Sequence, residues 1–483
     1  MFLTMRIIRE IQFLYIAHSQ SFVYTGIMEA DFVFKRRFYT KLLEWKNECN
    51  GSRAILVEGA RRIGKSTICE EFAKHEYKSY ILIDFAVVTK KLKDLFFNYL
   101  NDLDTFFMLL QASFGITLYR RESVIIFDEV QKFPRAREAV KYLVADGRYD
   151  YIETGSLISL RENVKDIVIP SEERHLRMYP LDFEEFCMAL GKTQLSDYIK
   201  ECFSKKQSLE RNLHNEAMLI FKQYMLVGGM PQSIVAFLKG GKNFGDADKQ
   251  KRDILNLYRD DIMKIKARYR GKVLALFDQL PSLLSRHEKR VVFTEIAENS
   301  YAEQYEDTFF WLANSMIANE CFLCNDPNVA FSLNETRAYI KCYLCDTGLL
   351  LSHAFDENEL MENEIYRQVL DDRLGINEGM FYENVIAQML VANGHKLFFY
   401  TQYSEEKHRN DIEIDFLLSS NSKLKYKVYP VEVKSGKNYT TVSLERFREK
   451  FKERIGGCYI IHPRNLAEKN GVLCIPPYMA MCL

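Results

Sequence analysis

The chain has 483 residues, of which 47% are hydrophobic and 27% are charged, a composition typical of a soluble globular protein with three or four packed domains. No apolar run is long enough to span a membrane, which excludes a membrane-spanning helix. Lysine plus arginine and aspartate plus glutamate each number 66, and this zero net charge does not exclude a local patch that binds nucleic acid.

The first residues precede the first predicted domain. Arg6, Arg9 and Glu10 stand before only a short apolar run, IQFLYIA, and no clear cleavage site of small residues follows, which disfavours a secretory signal peptide. Residues 1–31 are therefore interpreted as an amphipathic extension, or as sequence before a true start at Met28. Eleven cysteines without the architecture of a small disulfide-rich domain favour reduced thiols and a cytoplasmic protein.

Short apolar runs separated by helical patterns predict an α/β fold in the first third of the chain. Strands that alternate with helices in this way form a parallel sheet covered on both faces. The predicted strands are residues 54–58, 80–85, 124–128 and 149–154.

The rest of the chain changes character beyond Pro180. The pattern is helical up to a break at residues 228–231, and helical again over residues 253–285. Residues 291–350 predict short helices followed by a hairpin. From Phe381 onward the order is helix, three strands, helix and strand.

The segment after the first strand fits the pattern G-x-x-x-x-G-K-[ST] of a phosphate-binding loop. Glycines let the backbone approach phosphates, and the amides of the loop and of the next helix start face the anion. We expect Lys65 to contact the β- and γ-phosphates and Ser66 to hold Mg²⁺, so the predicted ligands are ATP and Mg²⁺. The predicted nucleotide-binding residues are Gly59, Ala60, Arg61, Arg62, Ile63, Gly64, Lys65, Ser66 and Thr67.

Two acidic residues end the predicted strand at 124–128. The strand delivers Asp128 to the carboxyl edge of the sheet, where we expect it to hold Mg²⁺ through water. Glu129 is the candidate general base that polarises the attacking water. Thr154 or Ser156, after the next strand, is a candidate hydroxyl for sensing the γ-phosphate, and a simple turn explains both residues equally well.

Two arginines follow this segment, in ERHLRMYPLDF. Arg174 or Arg177 is a candidate to stabilise the charge that develops on the γ-phosphate. The arginine would act within its own chain or on a neighbouring subunit of a homo-oligomer. A solvated surface arginine is the alternative interpretation of each.

The motifs GARRIGKST, IIFDEVQKFP, ETGS, MYPLDFEEF, YMLVGGMP and LYRDDI follow one another in a family order. In this order the chain resembles AAA-type P-loop ATPases of the archaeal type, from residue 32 to its end. The resemblance implies an ATPase core, a helical lid, a winged-helix segment and a C-terminal α/β domain of the restriction-endonuclease fold. The basic stretch usual between ETGS and YPLDF is poorly matched, so the arginine finger stays unassigned. The implied domains are residues 32–180, 181–285, 286–360 and 361–483.

Two C-x-x-C pairs in the third domain, separated by 17 residues, fit the spacing of a zinc ribbon. Apolar residues flank every cysteine as in a strand, and residues three apart in a strand point to opposite faces, which favours core cysteines over a zinc site. The winged-helix interpretation, with helices at residues 293–300 and 307–318, permits contact with DNA as well as a purely structural role. The four cysteines are Cys321, Cys324, Cys342 and Cys345.

Charged residues of the last domain alternate along two predicted strands, residues 412–417, which contain EIDF, and residues 431–434, VEVK. Period-two geometry puts Glu413 and Asp415 on one face of the first strand, and puts Glu432 and Lys434 on one face of the second. With Glu383 on a preceding helix, these residues are the predicted catalytic set for phosphodiester hydrolysis. Asp415 and Glu432 would hold Mg²⁺, and Lys434 would position the water.

This set resembles the motif of the PD-(D/E)XK nuclease superfamily. Residues 423–454 carry ten Lys/Arg against four Glu, a local basic excess that suits DNA or RNA. The sequence leaves two alternatives open for the domain. It binds or cleaves nucleic acid under the control of the ATPase, or it is an inactive docking module of an ATP-driven switch.

Overall fold

The computed structural model divides the chain into two compact units, Met1–Phe34 and Lys35–Leu483. Nearly all of the first unit, including the predicted extension 1–31, lies outside the described residues. No helix of the described part is long and apolar enough to cross a membrane. The residues that the structure describes are 33–155, 171–286, 302–328, 330–355, 366, 378–404, 406, 409–419, 427–436 and 439–483.

The first half of the second unit is built on a five-stranded parallel sheet of order β2-β3-β4-β1-β5, which confirms the predicted α/β class. Strands β1, β3 and β4 are buried along their whole length, because helices cover both faces of a parallel sheet. The edge strand β5 was not predicted, since its alternating charges lack an apolar run. The strands are β1 Ala54–Glu58, β2 Ser79–Asp84, β3 Ser123–Asp128, β4 Asp150–Gly155 and β5 Glu173–Arg177.

Within residues 33–155, five α-helices accompany this sheet. The core on one side packs aromatic side chains edge to face, such as Phe96 against Phe106 and Phe127. The helices are α1 Phe38–Cys49, α2 Lys65–Glu76, α3 Lys90–Asn98, α4 Leu103–Phe114 and α5 Pro134–Asp146.

A helical region follows the sheet, as the sequence predicted. Its first helix begins with a capping box, in which Asp182 and Glu185 satisfy each other's backbone amides. The long helix α10 carries the LYRDDI motif. The helices are α6 Phe183–Ala189, α7 Thr193–Ser204, α8 Arg211–Val227, α9 Pro231–Lys239, α10 Phe244–Met263 and α11 Ala267–Ser285.

The remaining strands form two sheets, a four-stranded sheet of order β7-β6-β8-β9 and a five-stranded sheet of order β10-β11-β12-β14-β13. The first begins with the hairpin β6 Ala318–Cys324 and β7 Glu335–Leu344, and continues with β8 Leu397–Ser404 and β9 Arg409–Ile414. This sheet crosses the predicted boundary between residues 286–360 and 361–483. The second sheet comprises β10 Phe416–Ser419, β11 Val428–Val433, β12 Cys458–Ile461, β13 Ala467–Lys469 and β14 Val472–Ile475.

The predicted single strand at residues 412–417 is two strands. Strand β9 ends at Ile414 and β10 begins at Phe416, and the two belong to different sheets, so Asp415 lies at the switch between them. Of the two predicted winged-helix helices, residues 293–300 lie outside the described part, and the other overlaps α12. The helices of this half are α12 Ala302–Asn314, α13 Thr347–Ala354, α14 Glu378–Ala392 and α15 Val442–Lys450.

Candidate functional site

The glycine-bounded loop joins β1 to the start of α2, at the carboxyl edge of the parallel sheet. Gly64 has a φ of +91° and immediately precedes the helix, a conformation that favours glycine. A Cβ on Gly59 would lie 2.6 Å from the carbonyl oxygen of Met178, so that position has no room for a side chain. A glycine-bounded loop that leads into a helix N-terminus is the backbone arrangement that binds phosphate anions through main-chain amides.

Lys65 is buried and folds back over this loop. Its Nζ donates hydrogen bonds to the carbonyl oxygens of Gly59, at 3.1 Å, and Ala60, at 2.8 Å. Burial lowers the pKa of the ammonium to about 8, against the opposing effect of the Glu129 and Asp128 carboxylates. An anion between the loop and this ammonium would favour the charged form, so the residues present fit a phosphate group.

Three oxygen-bearing side chains converge beside the loop. The hydroxyl of Ser66 donates to Oδ1 of Asp128 at 2.7 Å, and the hydroxyl of Thr154 donates to the same oxygen. Carboxylate and hydroxyl oxygens are the ligands that Mg²⁺ takes together with nucleotide phosphates. The donor set therefore fits Mg²⁺, with Ser66 and Asp128 as the residues that would hold it.

Glu129 follows Asp128 in a left-handed conformation, with a φ of +53°. A non-glycine residue in this region is strained, and such strain clusters at functional sites. Its amide donates to the Thr154 hydroxyl at 3.3 Å, and Gln131 donates to its Oε2. Thr154 thus links both acidic residues, whereas Ser156, the other candidate hydroxyl, lies outside the described residues.

The two candidate arginines lie on the edge strand β5. Arg174 forms an ion pair with Glu48 at 2.6 Å. Arg177 stands opposite Glu58 in the strand register, directly beside the start of the loop, and is exposed. Of the two, Arg177 is therefore the one at the nucleotide edge of the sheet.

Sequence reasoning missed Arg36, which forms a hydrogen bond to the backbone of the phosphate-binding loop. Its guanidinium donates to the carbonyl oxygens of Ile63, at 3.0 Å, and Tyr179, at 2.7 Å, and forms an ion pair with Glu185 at 3.1 Å. These partners are distant in the chain, so no local pattern marks the role of this arginine.

Helix α10 also reaches the loop. Asp261 accepts two hydrogen bonds from one guanidinium nitrogen of Arg61, at 2.8 and 3.0 Å, and the hydroxyl of Tyr258 donates to the Arg61 carbonyl at 3.1 Å. Both residues belong to the LYRDDI motif, to which the sequence alone assigned no role. Helix α10 and the phosphate-binding loop are therefore in direct contact.

The helical region also contacts the C-terminal half, through Asp346. This buried carboxylate accepts hydrogen bonds from the amides of Gly229 and Leu349, and from the side chain of Gln388. The Gly229 carbonyl in turn accepts from the amide of Leu181. Gly229 thus links the segment that precedes helix α6 to the C-terminal half.

The predicted C-terminal residues lie near one another, around a lysine that the sequence analysis did not single out. Nζ of Lys341, on β7, lies 3.3 Å from Glu383, 3.8 Å from Glu413 and 3.9 Å from Asp415. The hydroxyl of Tyr343 also donates to Glu383. Burial alone would lower the pKa of Lys341, but the three carboxylates outweigh it and raise that pKa above its usual value.

Glu432 and Lys434 form the other part of this cluster. Asp415 Oδ2 accepts a hydrogen bond from the amide of Val433 at 2.8 Å, which holds its carboxylate beside strand β11. Lys434 Nζ lies 3.0 Å from Glu432 Oε2. Burial raises the pKa of Glu432 to about 7, although the charge of Lys434 opposes this shift.

The carboxylates of the C-terminal cluster do not fit a divalent cation as they stand. Within the described residues there is no group of three or more His, Cys, Asp or Glu side chains arranged to hold a metal ion. The buried ammonium of Lys341 lies between Glu383, Glu413 and Asp415, where such an ion would need to bind.

The four cysteines of the C-x-x-C pairs are buried on the β6–β7 hairpin or directly after it. In the register, Cys321 pairs with Lys341 and Cys342 pairs with Glu320, so the two cysteines do not face each other across the hairpin. Burial raises the pKa of the Cys324 thiol to about 11, which disfavours the thiolate that binds zinc.

The basic residues at 423–454 are largely engaged within the chain, where the structure describes them. Arg446 forms an ion pair with Asp411, and Arg454 forms one with Asp326. Lys450 donates to Tyr400 and Gln402. Their net contribution to a phosphate-binding surface is therefore smaller than the charge count predicts.

Comparisons with protein families match three separate segments of the chain. Residues 51–187 match the family model of an AAA domain. Residues 218–359 and 378–478 match two domains of unknown function, DUF8612 and DUF4143. No curated protein matches the chain.

Solved structures with detectable similarity include a branch migration motor and a protein of the nematode C. elegans. The first is the Thermotoga maritima RuvB Holliday junction branch migration motor, which is 14% identical to this chain, with a TM-score of 0.26. The match covers 64% of this chain and 92% of the RuvB chain. A point variant of RuvB is 15% identical, with the same coverage and TM-score. C. elegans PCH-2 is 13% identical over 38% of this chain, with a TM-score of 0.21, and the match spans 52% of its length. Similarity at this level carries no argument about function.

Proposed function

We propose that this chain, whose residues 51–187 form an AAA ATPase domain, is a Mg²⁺-dependent ATP hydrolase that works as a switch. The observation that carries the proposal is the convergence of Lys65, Ser66, Asp128 and Thr154 at the carboxyl edge of a parallel sheet. Ligands of such sheets bind at this edge, and phosphates bind at the N-terminus of the helix that follows the loop.

Each side chain has a role in this proposal. The Lys65 ammonium would leave the loop carbonyls and bind the β- and γ-phosphates of ATP. Charged phosphate oxygens offset the desolvation cost of the buried ammonium better than neutral carbonyls do. Ser66 and Asp128 would hold Mg²⁺, which supplies charge neutralisation for the phosphate oxygens. Glu129 would take a proton from the attacking water, and Thr154 would hold the backbone of Glu129 in position.

The switch part of the proposal is supported by helix α10. Because Asp261 and Tyr258 bind the loop residue Arg61, a loop that rearranges around phosphate changes the contacts of this helix. The same helix contributes Asp248, which accepts a hydrogen bond from Ser352 of α13 at 2.6 Å. Nucleotide-dependent movement at the loop would thus reach the C-terminal half through helix α10.

The test is phosphate release by the purified full-length chain. We expect Lys65→Ala to abolish measurable turnover and Glu129→Gln to reduce it by about 100-fold or more while ATP still binds. Lys74→Ala, on the exposed face of the same helix, is the matched control and should behave as wild type. Wild-type turnover in the Lys65→Ala variant would refute the proposal.

For the C-terminal half, we propose the docking role in preference to cleavage. The neutralisation of Glu383 and Asp415 by Lys341 supports a module that binds a partner without hydrolysing it. The test is to measure binding of DNA or RNA with and without ATP. The docking role predicts ATP-dependent binding in which the nucleic acid is not cleaved.

Metal-dependent cleavage of DNA or RNA is the second candidate. It is favoured by the hydrogen bond from the Val433 amide to Asp415, which holds this carboxylate next to Glu432 and Lys434. Incubation of DNA and RNA with Mg²⁺ or Mn²⁺ tests it directly. Cleavage that disappears in the Asp415→Ala variant would support this candidate over docking.

A further inference from the structure

We infer that the ammonium of Lys341 is the permanent internal cation of the C-terminal carboxylate cluster, so that the native chain binds no divalent ion there. The inference deepens the docking role proposed above, and it does not depend on ATP hydrolysis at the other site. Its counterpart is that removal of this single ammonium creates a divalent cation site.

The first argument is the position of the ammonium. Its nitrogen lies within 3.9 Å of carboxylate oxygens from helix α14, from the end of β9 and from the residue that links β9 to β10. Three elements of the fold therefore direct negative charge at one point, and the ammonium of Lys341 lies within 3.9 Å of all three carboxylates.

The second argument is that the lysine is anchored. Its side chain is only 3% exposed, and its nitrogen lies 5.0 Å from the centre of the Phe399 ring. The side chain rises from a central position of β7, where it pairs with Cys321 of β6. A lysine whose side chain is this deeply buried has no nearby solvent position for its charge, so an incoming ion would not displace it easily.

The third argument concerns dimensions. Mg²⁺ and Mn²⁺ bind oxygen at about 2.1 Å, whereas the carboxylate oxygens stand 3.3–3.9 Å from the lysine nitrogen. The carboxylates are thus spaced for an ammonium and must move inward to bind a metal ion. The same three carboxylates without Lys341 would repel one another in a buried site, and a divalent ion would relieve that repulsion.

The fourth argument concerns the ion pair between Glu432 and Lys434. Glu432 is almost fully buried and neither of its oxygens has a well-aligned hydrogen bond, although Lys434 lies 3.0 Å away. When Lys341 is removed, Glu432 is available as a further ligand beside Asp415. The new site would therefore offer Glu432 in addition to the three carboxylates that surround Lys341.

The experiment is a Mn²⁺ titration followed by electron paramagnetic resonance of the free ion. All proteins carry Ser66→Ala and Asp128→Asn, which silence the nucleotide site, and this background is the parent. We expect no saturable site in the parent. The Lys341→Met variant should bind one Mn²⁺ per chain, at least about 10-fold more tightly than the nonspecific binding measured in the parent. Adding Asp415→Asn should abolish the new site, and Lys396→Met, at an exposed lysine paired with Glu335, should create none.

Two results would overturn the inference. One is stoichiometric Mn²⁺ binding by the parent that Asp415→Asn abolishes. The other is a folded Lys341→Met variant, with native circular dichroism, that binds no Mn²⁺. Either result leaves the proposed ATPase untouched, because phosphate release is measured with the nucleotide site intact.

A second variant covers a folding failure of Lys341→Met. The double variant Lys341→Met/Glu383→Gln removes one carboxylate together with the ammonium and so limits the unbalanced charge. Saturating Mn²⁺ should raise its melting temperature by about 2 °C or more and leave that of the parent unchanged. Equal shifts in both would contradict the inference. If neither variant folds, the parent titration decides: an Asp415-dependent site overturns the inference, and the absence of one supports it.

Discussion

The carboxylate of Asp261, on helix α10, pairs with the guanidinium of Arg61 at 2.8 Å and so connects this helix to the phosphate-binding loop. Both side chains are partly exposed, and ion pairs of this kind contribute only about 0–1 kcal/mol to stability. The pair is therefore better placed to affect nucleotide binding than folding.

Asp261→Asn should strengthen ATP binding by about 2- to 5-fold. The substitution removes a negative charge near the triphosphate and releases Arg61 to contact it. Titration with a fluorescent ATP analogue measures the effect, and the melting temperature should change little. Asp260→Asn, at the exposed neighbouring position, is the charge-matched control. If the two variants bind the ATP analogue with equal affinity, Asp261 has no specific effect on nucleotide binding.

Thr154→Val should reduce the turnover number by about 10- to 100-fold and change the KM for ATP by less than about 3-fold. The loss follows because the Thr154 hydroxyl bonds both Asp128 and the Glu129 amide. Thr154→Ser retains the hydroxyl and should recover most of the activity. Steady-state phosphate release checks both, and a serine variant as slow as the valine variant would speak against the role of the hydroxyl.

Gly229→Ala should destabilise the chain by about 3 kcal/mol. A Cβ at this position would lie 2.1 Å from the carbonyl oxygen of Leu181, which is backbone and cannot rotate away. Gly271→Ala, in the helix α11 with open space around it, should instead stabilise by about 0.5–1 kcal/mol. Urea denaturation compares the two, and equal midpoints would show that the glycine turn has room to adjust.

Glu432→Gln should flatten the dependence of stability on pH between about 4.5 and 7. The native pKa of Glu432 is about 7 because of burial, above its value in the unfolded chain. Between these two values the native state binds the extra proton, so the free energy of unfolding falls as pH rises and stays low above pH 7.

The variant should therefore be more stable than wild type above pH 7, by about 2–3 kcal/mol, and similar to it near pH 4. Denaturant midpoints across this range give the difference directly. Glu449→Gln replaces an exposed carboxylate on α15 and should leave the wild-type pH profile unchanged. A constant difference between wild type and Glu432→Gln at all pH values would contradict the burial effect.

Local patterns of the sequence were sufficient to predict four of the five strands of the parallel sheet. The apolar runs at β1 to β4 and the helical periods between them predict the parallel sheet, because buried parallel strands are apolar on both faces. Strand β5, Glu173–Arg177, escaped prediction because an edge strand with alternating charges has no such run. Asp415 was assigned to a single strand, since alternation continues across the point where the chain changes sheet.

The sequence by itself determined the glycine-bounded loop, its lysine and the acidic end of β3, because each is a contiguous stretch whose chemistry depends on near neighbours. Only the tertiary structure decided which distant residues surround them: Arg36 and Asp261 at the loop, and Lys341 among the carboxylates. Lys341 and Asp415 are 74 positions apart, and their contact depends on how the sheets and helix α14 pack. Hydrophobic periodicity carries no information about that pairing, since it specifies which face of an element is buried and not which element covers it.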